Sequence, residues 1–437
     1  MTGTSSRPAD AKDAYASPSY RAYAVGVLML VYLCHGIDRT LPSLLVEPVQ
    51  AEFRLSDTQL GVFGGLSYGI AFALAVAPMG YLADRVNRRG MLAVLVAVWS
   101  ICTALGGLAR TYAQLILSRV GVGAAEAGAP PIAIPFLADI FPPAKRGMSL
   151  GLLYAASNIG GVVASVAGGY LAAEYGWRTA MFMAGVPGLA AALLLLLTLK
   201  EPRRGGADAG PSSVDAPAAP PRTLEVLRFI GRSPAIMCLM AACAMTALVQ
   251  VSIGAWASSF FIRVHHLSLA QTGLIIGLGI GLGGVVGSTV YGWLGDVLKV
   301  RHYAWPVRLV GLSLGVAFVT GMTFLFTPSI PLAIACYICG DLMRSGYPPL
   351  CYSTLMTNTE GRMRGSVMSI AQLVSYFAGF GLGPVVTGML SDFYGGGLAI
   401  RYALASAMLI YLPAMALLLF AAPRLRGGSD SAAAQAS

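Results

Sequence analysis

Apolar stretches long enough to cross a bilayer recur along almost the whole of this 437-residue chain, and no other feature limits its fold as strongly. A helix rises about 1.5 Å per residue, so roughly 20 apolar residues span the hydrocarbon layer, where every backbone amide must find its partner inside the segment. Twelve stretches are read, near 20–45, 58–82, 91–109, 112–138, 147–171, 178–199, 234–262, 269–295, 304–327, 330–357, 366–390 and 400–422. Short charged or Pro- and Gly-bearing turns separate them. A composition of 56% hydrophobic and 11% charged residues is far more apolar than a core solvated by water requires. The expected fold is an all-α membrane protein of twelve transmembrane helices. No cleavable signal peptide is expected, since the first residues are polar and the first apolar run is too long for one.

The net charge of +10 invites a nucleic-acid partner, but its distribution argues against one. Most Lys and Arg, among them Arg85, Arg88, Arg89, Lys145, Arg146, Lys299, Arg301, Arg362 and Arg364, fall on the side of the spans where both termini lie. Arg54, Arg110, Arg178, Arg263 and Arg401 fall on the other side. This is the positive-inside bias, and it places both termini in the cytoplasm. A multi-pass protein of the cell's inner or plasma membrane is expected, working as a monomer among membrane lipids.

No catalytic, metal or cofactor constellation is found. The seven cysteines sit in apolar spans without zinc-ligand or disulfide spacing, and Cys336 and Cys339 read as small buried hydrophobes. The chain divides into a tail (1–19), a six-helix bundle (20–199), a Pro/Ala/Gly-rich linker (200–233), a second bundle (234–422) and a second tail (423–437). Within the linker, Leu224, Leu227 and Ile230 with Arg222, Arg228 and Arg232 fit either a basic amphipathic helix on the membrane surface or disordered chain.

The two bundles repeat one another. Leu55-Ser-Asp-Thr-Gln-Leu-Gly61 returns as Leu267-Ser-Leu-Ala-Gln-Thr-Gly273, and Gly80-Tyr-Leu-Ala-Asp84 returns at the same offset as Gly292-Trp-Leu-Gly-Asp296. Further on the offset changes from 212 to 218, and Pro130-Pro131 matches Pro348-Pro349. Because each half begins on the same side, the repeats are parallel, and a substrate site is expected between them near the midplane.

Gly80-Tyr-Leu-Ala-Asp84-Arg85-Val-Asn-Arg88-Arg89-Gly90 closely resembles the G-x-L-A-D-R-x-G-R-R/K signature of the major facilitator superfamily, with Asn87 where a Gly is usual. Arg119-Val-Gly-Val-Gly-Ala-Ala-Glu126-Ala-Gly128 and Gly176-Trp177-Arg178 fit the same superfamily. His35-Gly-Ile-Asp38-Arg39, together with the Glu126 stretch, resembles the spinster group of lysolipid and sphingosine-phosphate transporters. The resemblance implies two six-helix bundles working by alternating access, with the first, fourth, seventh and tenth helices lining a cavity. Asp84, Arg85, Arg88 and Arg89 would form a cytoplasmic gate that docks on a facing helix end. Gly160, Gly168, Gly379 and Gly383 supply faces on which helix backbones approach closely.

Asp38, Arg39, Arg119, Glu126, Asp341 and Arg344 lie inside spans. A charge at the bilayer centre costs about 2.5–3.5 kcal/mol on insertion scales, so these six must face one another or water. Glu126 lies about 21 Å into the fourth span and Arg344 at a similar depth in the tenth. At the repeat offset the two are equivalent. Arg39, Arg119, Glu126 and Arg344 are the candidate substrate-binding residues, with Asp38 and Glu126 as candidate proton carriers. Asp341 and Arg344, three apart, also fit an ion pair that only stabilises its own half. His35 reads as a proton relay or as a histidine bonded to a nearby carbonyl, and Trp256, Phe260 and Phe261 as interface anchors. The expected function is secondary transport of an amphipathic anionic lipid-like substrate with protons. The alternatives are a proton-linked symporter of small organic anions and a non-transporting ligand sensor.

Overall fold

A computed structural model of the chain describes residue 15 and residues 17–202 and 223–425. The regular structure among them is helical. Eleven helices are long and apolar enough to cross a membrane: α1 Pro18–Leu44, α2 Asp57–Ala83, α3 Arg88–Gly107, α4 Tyr112–Ile140, α5 Lys145–Tyr175, α6 Trp177–Thr198, α7 Pro234–His265, α8 Leu269–Lys299, α9 Trp305–Phe326, α11 Arg364–Tyr394 and α12 Ala399–Arg424. The remaining span, α10 (330–357), is built from two pieces, Ile330–Arg344 and Tyr347–Thr357. A short helix, Val46–Phe53, joins α1 to α2, and another, Thr223–Arg232, precedes α7. The end of the bundle that carries the start of α1 and the end of α12 is called the basic end, and the other the opposite end.

Both α4 and α10 break at the same place in the repeat. The first piece of α4 ends at Glu126, and that of α10 at Arg344. Two prolines follow each break, Pro130-Pro131 and Pro348-Pro349, and a proline offers no N–H to the carbonyl four residues earlier. The breaks leave Glu126 and Arg344 at the C-terminal, electronegative ends of their segments, where a cation is favoured and a carboxylate is not.

Within each half the fifth helix lies on the first through glycine. A Cβ on Gly160 would stand 2.0 Å from the Leu33 carbonyl oxygen, and one on Gly168 2.5 Å from Leu41 Cδ1. In the second half, a Cβ on Gly379 would stand 3.2 Å from the Ala247 carbonyl oxygen, and one on Gly383 2.7 Å from that of Leu248. Gly383 therefore faces α7 of its own half. Gly160→Ala should force α1 and α5 apart and cost about 1–3 kcal/mol of stability, the usual range for overpacking. Thermal unfolding in detergent checks this; an unchanged midpoint would mean that the contact yields freely.

Two seams join the halves. Along α2 and α11, a Cβ on Gly61 would lie 2.5 Å from the Pro384 carbonyl oxygen and one on Gly65 2.6 Å from that of Phe380. Along α5 and α8, a Cβ on Gly273 would lie 2.2 Å from the Ser165 carbonyl oxygen. All four seam helices carry a π-helical stretch: Val62–Leu66, Ala164–Gly168, Ile280–Gly287 and Phe377–Leu382.

At the opposite end an ionic knot crosses the seam. Arg263 of α7 donates from Nε to Glu47 at 2.8 Å, from Nη1 to Asp57 at 2.8 Å and from Nη2 to Gln50 at 2.8 Å. Asp392 of α11 accepts from the backbone amides of Asp57 and Thr58 at 2.9 and 2.8 Å, which places a carboxylate on the electropositive start of α2. Ser391 donates to Asp57 at 2.6 Å. Trp256, Phe260 and Phe261 are buried beneath this knot rather than standing at the interface. Trp256 Nε1 donates to the Pro384 carbonyl at 3.0 Å, and the two phenylalanines pack on Phe324. An aromatic near a span's end reads the same from sequence whether lipid or protein covers it, and here α9, α10 and α11 of the same half cover the three rings.

The Gly176-Trp177-Arg178 turn is a clamp at the same end. Gly176 takes φ +83°, a conformation that costs glycine little, and Trp177 and Arg178 both donate to Glu52, at 2.8 and 2.5 Å. The Arg178 hydrogen bond holds the Glu52 carboxyl below its ordinary range.

Candidate functional site

The intramembrane charges of the first half meet around Glu126, which is wholly buried. Tyr68 of α2 donates its hydroxyl to Glu126 Oε2 at 2.8 Å. His35 of α1 brings Nδ1 to 3.0 Å from the same oxygen, within ion-pair distance but outside hydrogen-bond geometry. Glu126 Oε1 is buried with no hydrogen-bond partner. The other ring nitrogen of His35 lies 3.4 Å from Arg39 Nη1, so α1, α2 and α4 set Arg39, His35, Glu126 and Tyr68 in one line. The spacing of His35 and Arg39, four apart on α1, puts both on one face of that helix.

Asp38 points away from that line, into α3, where Thr103 donates to its carboxylate at 2.7 Å. Arg119 reaches the Asp38 backbone carbonyl at 3.4 Å and not its carboxylate, and its guanidinium carbon stands 5.4 Å from the centre of the Tyr68 ring. The buried Nε of Arg119 has no partner. The buried cluster therefore carries hydrogen-bonding capacity on both an acid, Glu126, and a base, Arg119, that the neighbouring side chains do not use.

In the second half, Arg344 and Asp341 pair at 2.5 Å across one turn of α10. Gly283 of α8 makes room for Asp341, since a Cβ there would lie 2.2 Å from the carboxylate. Arg344 is buried, with its Nε also unpartnered. The local pair leaves the cation some hydrogen-bonding capacity.

Four rings bridge the seam beside Arg39. Tyr68 and Phe72 come from α2, and Tyr376 and Phe380 from α11. Phe72 stacks on Tyr376 at 5.7 Å with the planes 5° apart, and Tyr68 meets Phe380 edge-on at 6.1 Å. The Arg39 guanidinium lies 4.3 Å from the centre of Phe380 and 5.9 Å from that of Tyr376.

The four candidate gate residues cluster at the basic end. Arg88 pairs with Asp139 of α4 at 2.6 Å, and the backbone amides of Arg88 and Arg89 donate to Glu201 at 3.0 and 2.8 Å. Arg85 stacks on Tyr81 at 3.8 Å, and the Asp84 side chain is largely exposed. Asn87 accepts from the Gly90 amide at 2.7 Å and so caps α3, which gives the departure from Gly a physical reason.

The structure thus brings Arg39, Arg119 and Glu126 together, turns Asp38 of α1 toward Thr103 of α3, and places Asp341 and Arg344 as a separate pair. Sequence reasoning missed Tyr68, Thr103 and Phe380. Of the two readings of His35, the nearby carbonyl is not its partner: its ring nitrogens face Glu126 and Arg39.

Residues 28–317 match the family model of the Major Facilitator Superfamily. An MFS-type efflux pump of Mycolicibacterium smegmatis is 31% identical over 406 residues, covering 90% of each chain. A probable sulfoacetate transporter of Cupriavidus necator is 28% identical, over 70% of this chain and 73% of its own. Among solved structures, a bacterial homolog to the human lysosomal transporter Spinster, in an inward-facing and unoccupied conformation, superposes with a TM-score of 0.83 at 26% identity, covering 94% of this chain and 98% of its own.

Proposed function

Because the chain belongs to the Major Facilitator Superfamily, we propose that it is a proton-coupled secondary transporter of an amphipathic, anionic, lipid-like substrate, working by alternating access. The observation that carries this reading is Glu126: wholly buried, with one oxygen held by Tyr68 and faced by His35 and the other unpartnered. On this reading Glu126 is the carboxyl that carries the coupled proton. Arg39, Arg119 and Arg344 are the cations that a head group would meet, and the aromatic rings beside Arg39 offer an apolar face to a chain. Asp38 is the second carrier.

Both termini lie in the cytoplasm on this reading, and the protein acts as a monomer in the cell's inner or plasma membrane. The division into two bundles joined by the 200–233 linker supplies the two bodies that rock. The knot around Arg263 then closes the outer side, and Asp84, Arg85, Arg88 and Arg89 form the gate that closes the cytoplasmic side in the other state. Gly160, Gly168, Gly379 and Gly383 hold each half as one body.

The rival substrate class, small organic anions carried with protons, draws support from the likeness to the probable sulfoacetate transporter. Liposomes holding the purified protein decide between them. With an imposed proton gradient, uptake of radiolabelled lysophosphatidate is expected, with competition by dodecyl phosphate and none by sulfoacetate. Competition in the reverse order would establish the rival, and binding without uptake would make the protein a sensor.

A further inference from the structure

Arg39 belongs to the first half, but the rings beneath its guanidinium, Phe380 and Tyr376, belong to the second. Both sit on or next to the π-helical stretch Phe377–Leu382 of α11, and π turns inside α-helices concentrate at functional positions. Tyr376 is 38% exposed, and His35 Nε2 lies 3.4 Å from Arg39 Nη1. An arginine held over aromatic faces is stabilised, but less than one in charge-assisted hydrogen bonds to an anion. An anion therefore draws Arg39 off the rings, while a neutral molecule does not.

We propose that Phe380 and Tyr376 form a cradle that occupies Arg39 in the empty site and selects for ligands with both an anionic group and an apolar chain. The inference rests on the reading of Arg39 as a substrate-binding residue and adds the element that sets specificity. When an anion takes Arg39, apolar ring surface is uncovered, chiefly that of Phe380. A small anion leaves that surface to water, so part of its binding energy is lost. An amphipathic anion covers it with its own chain and recovers that energy. The cradle thus handicaps small anions against long-chain ones.

The test is calorimetric titration of the full-length protein in nanodiscs with dodecyl phosphate and methyl phosphate as probes. Wild type is expected to bind dodecyl phosphate and to bind methyl phosphate far more weakly. Phe380→Leu keeps an apolar side chain but removes the ring, and should bind methyl phosphate about 3- to 10-fold more tightly, narrowing the gap between the probes. Phe380→Tyr keeps the ring face and should behave as wild type, which separates the ring's effect from disturbed packing. Tyr376→Leu should act in the same direction but less, because its ring is farther from the cation. If wild type binds dodecyl phosphate and Phe380→Leu gains nothing for methyl phosphate, the cradle is wrong and the transport reading stands. If wild type binds neither probe, the anion-binding role of Arg39 fails and the cradle with it.

Discussion

Glu126→Gln should reduce proton-driven uptake to the level of protein-free liposomes while the protein still inserts, stays monodisperse and binds ligand with little dependence on pH. The substitution keeps size and hydrogen-bonding capacity but fixes the neutral state. The structure sharpens the stability side of this expectation. Glu126 is held by a phenol and faced by an imidazole, and no guanidinium pairs with it directly among the described contacts, so Gln leaves no arginine newly abandoned. The expected loss is about 1 kcal/mol, that of one hydrogen bond weakened from charged to neutral. A loss of about 3–5 kcal/mol would instead mark a broken buried pair and assign the residue to structure. Uptake and melting measured on one preparation give both answers, and coupling like that of wild type would remove Glu126 from the carrier role.

The second large effect is expected at Arg263. Arg263→Gln removes the cation that joins Glu47 and Asp57 and leaves those carboxylates close to Asp392 across the seam. The charge attraction that Arg263 supplies is replaced by repulsion between acids, in a site whose Glu47 and Asp57 side chains are 18% and 8% exposed. A shift of about 1.4 kcal/mol, modest for a partly buried pair, moves the balance of conformations tenfold. Spin labels at Arg110 and Gly397, exposed positions on the two halves at this end, should report a longer mean separation. The same distance distribution as in the parent protein would show that the seam is held by backbone packing alone.

What could be read from the sequence follows a physical rule. The spans were legible because burial in lipid demands about 20 apolar residues in a row, and the halves were legible because their motifs recur in register. The Asp341–Arg344 pair was legible because three residues along a helix are neighbours in space. His35 and Glu126 are far apart in the chain, as are Asp38 and Thr103 and Arg39 and Phe380, and no periodicity links such pairs. Arg263, Glu47 and Asp57 were hidden for a different reason: charges at the ends of spans carry a topology signal whether or not they also make a lock. The π-helical stretches leave no mark in hydropathy, since an added residue within an apolar run changes only its phase.

That added residue has a consequence for how the protein can change length and phase along its own seams. A π turn accommodates one more residue than an α turn over the same distance, so each seam helix carries slack in its backbone without an unbonded amide. On α11 the slack lies between Tyr376, beside the intramembrane charges, and Asp392, in the knot at the opposite end. Taking it up would turn everything beyond it by roughly 100° and swing Asp392 off the start of α2, while the inner half of the helix kept its place. The rotational settings of the site and of the lock are thus mechanically separable on one continuous helix, and the π stretch is the joint at which one can be adjusted without the other.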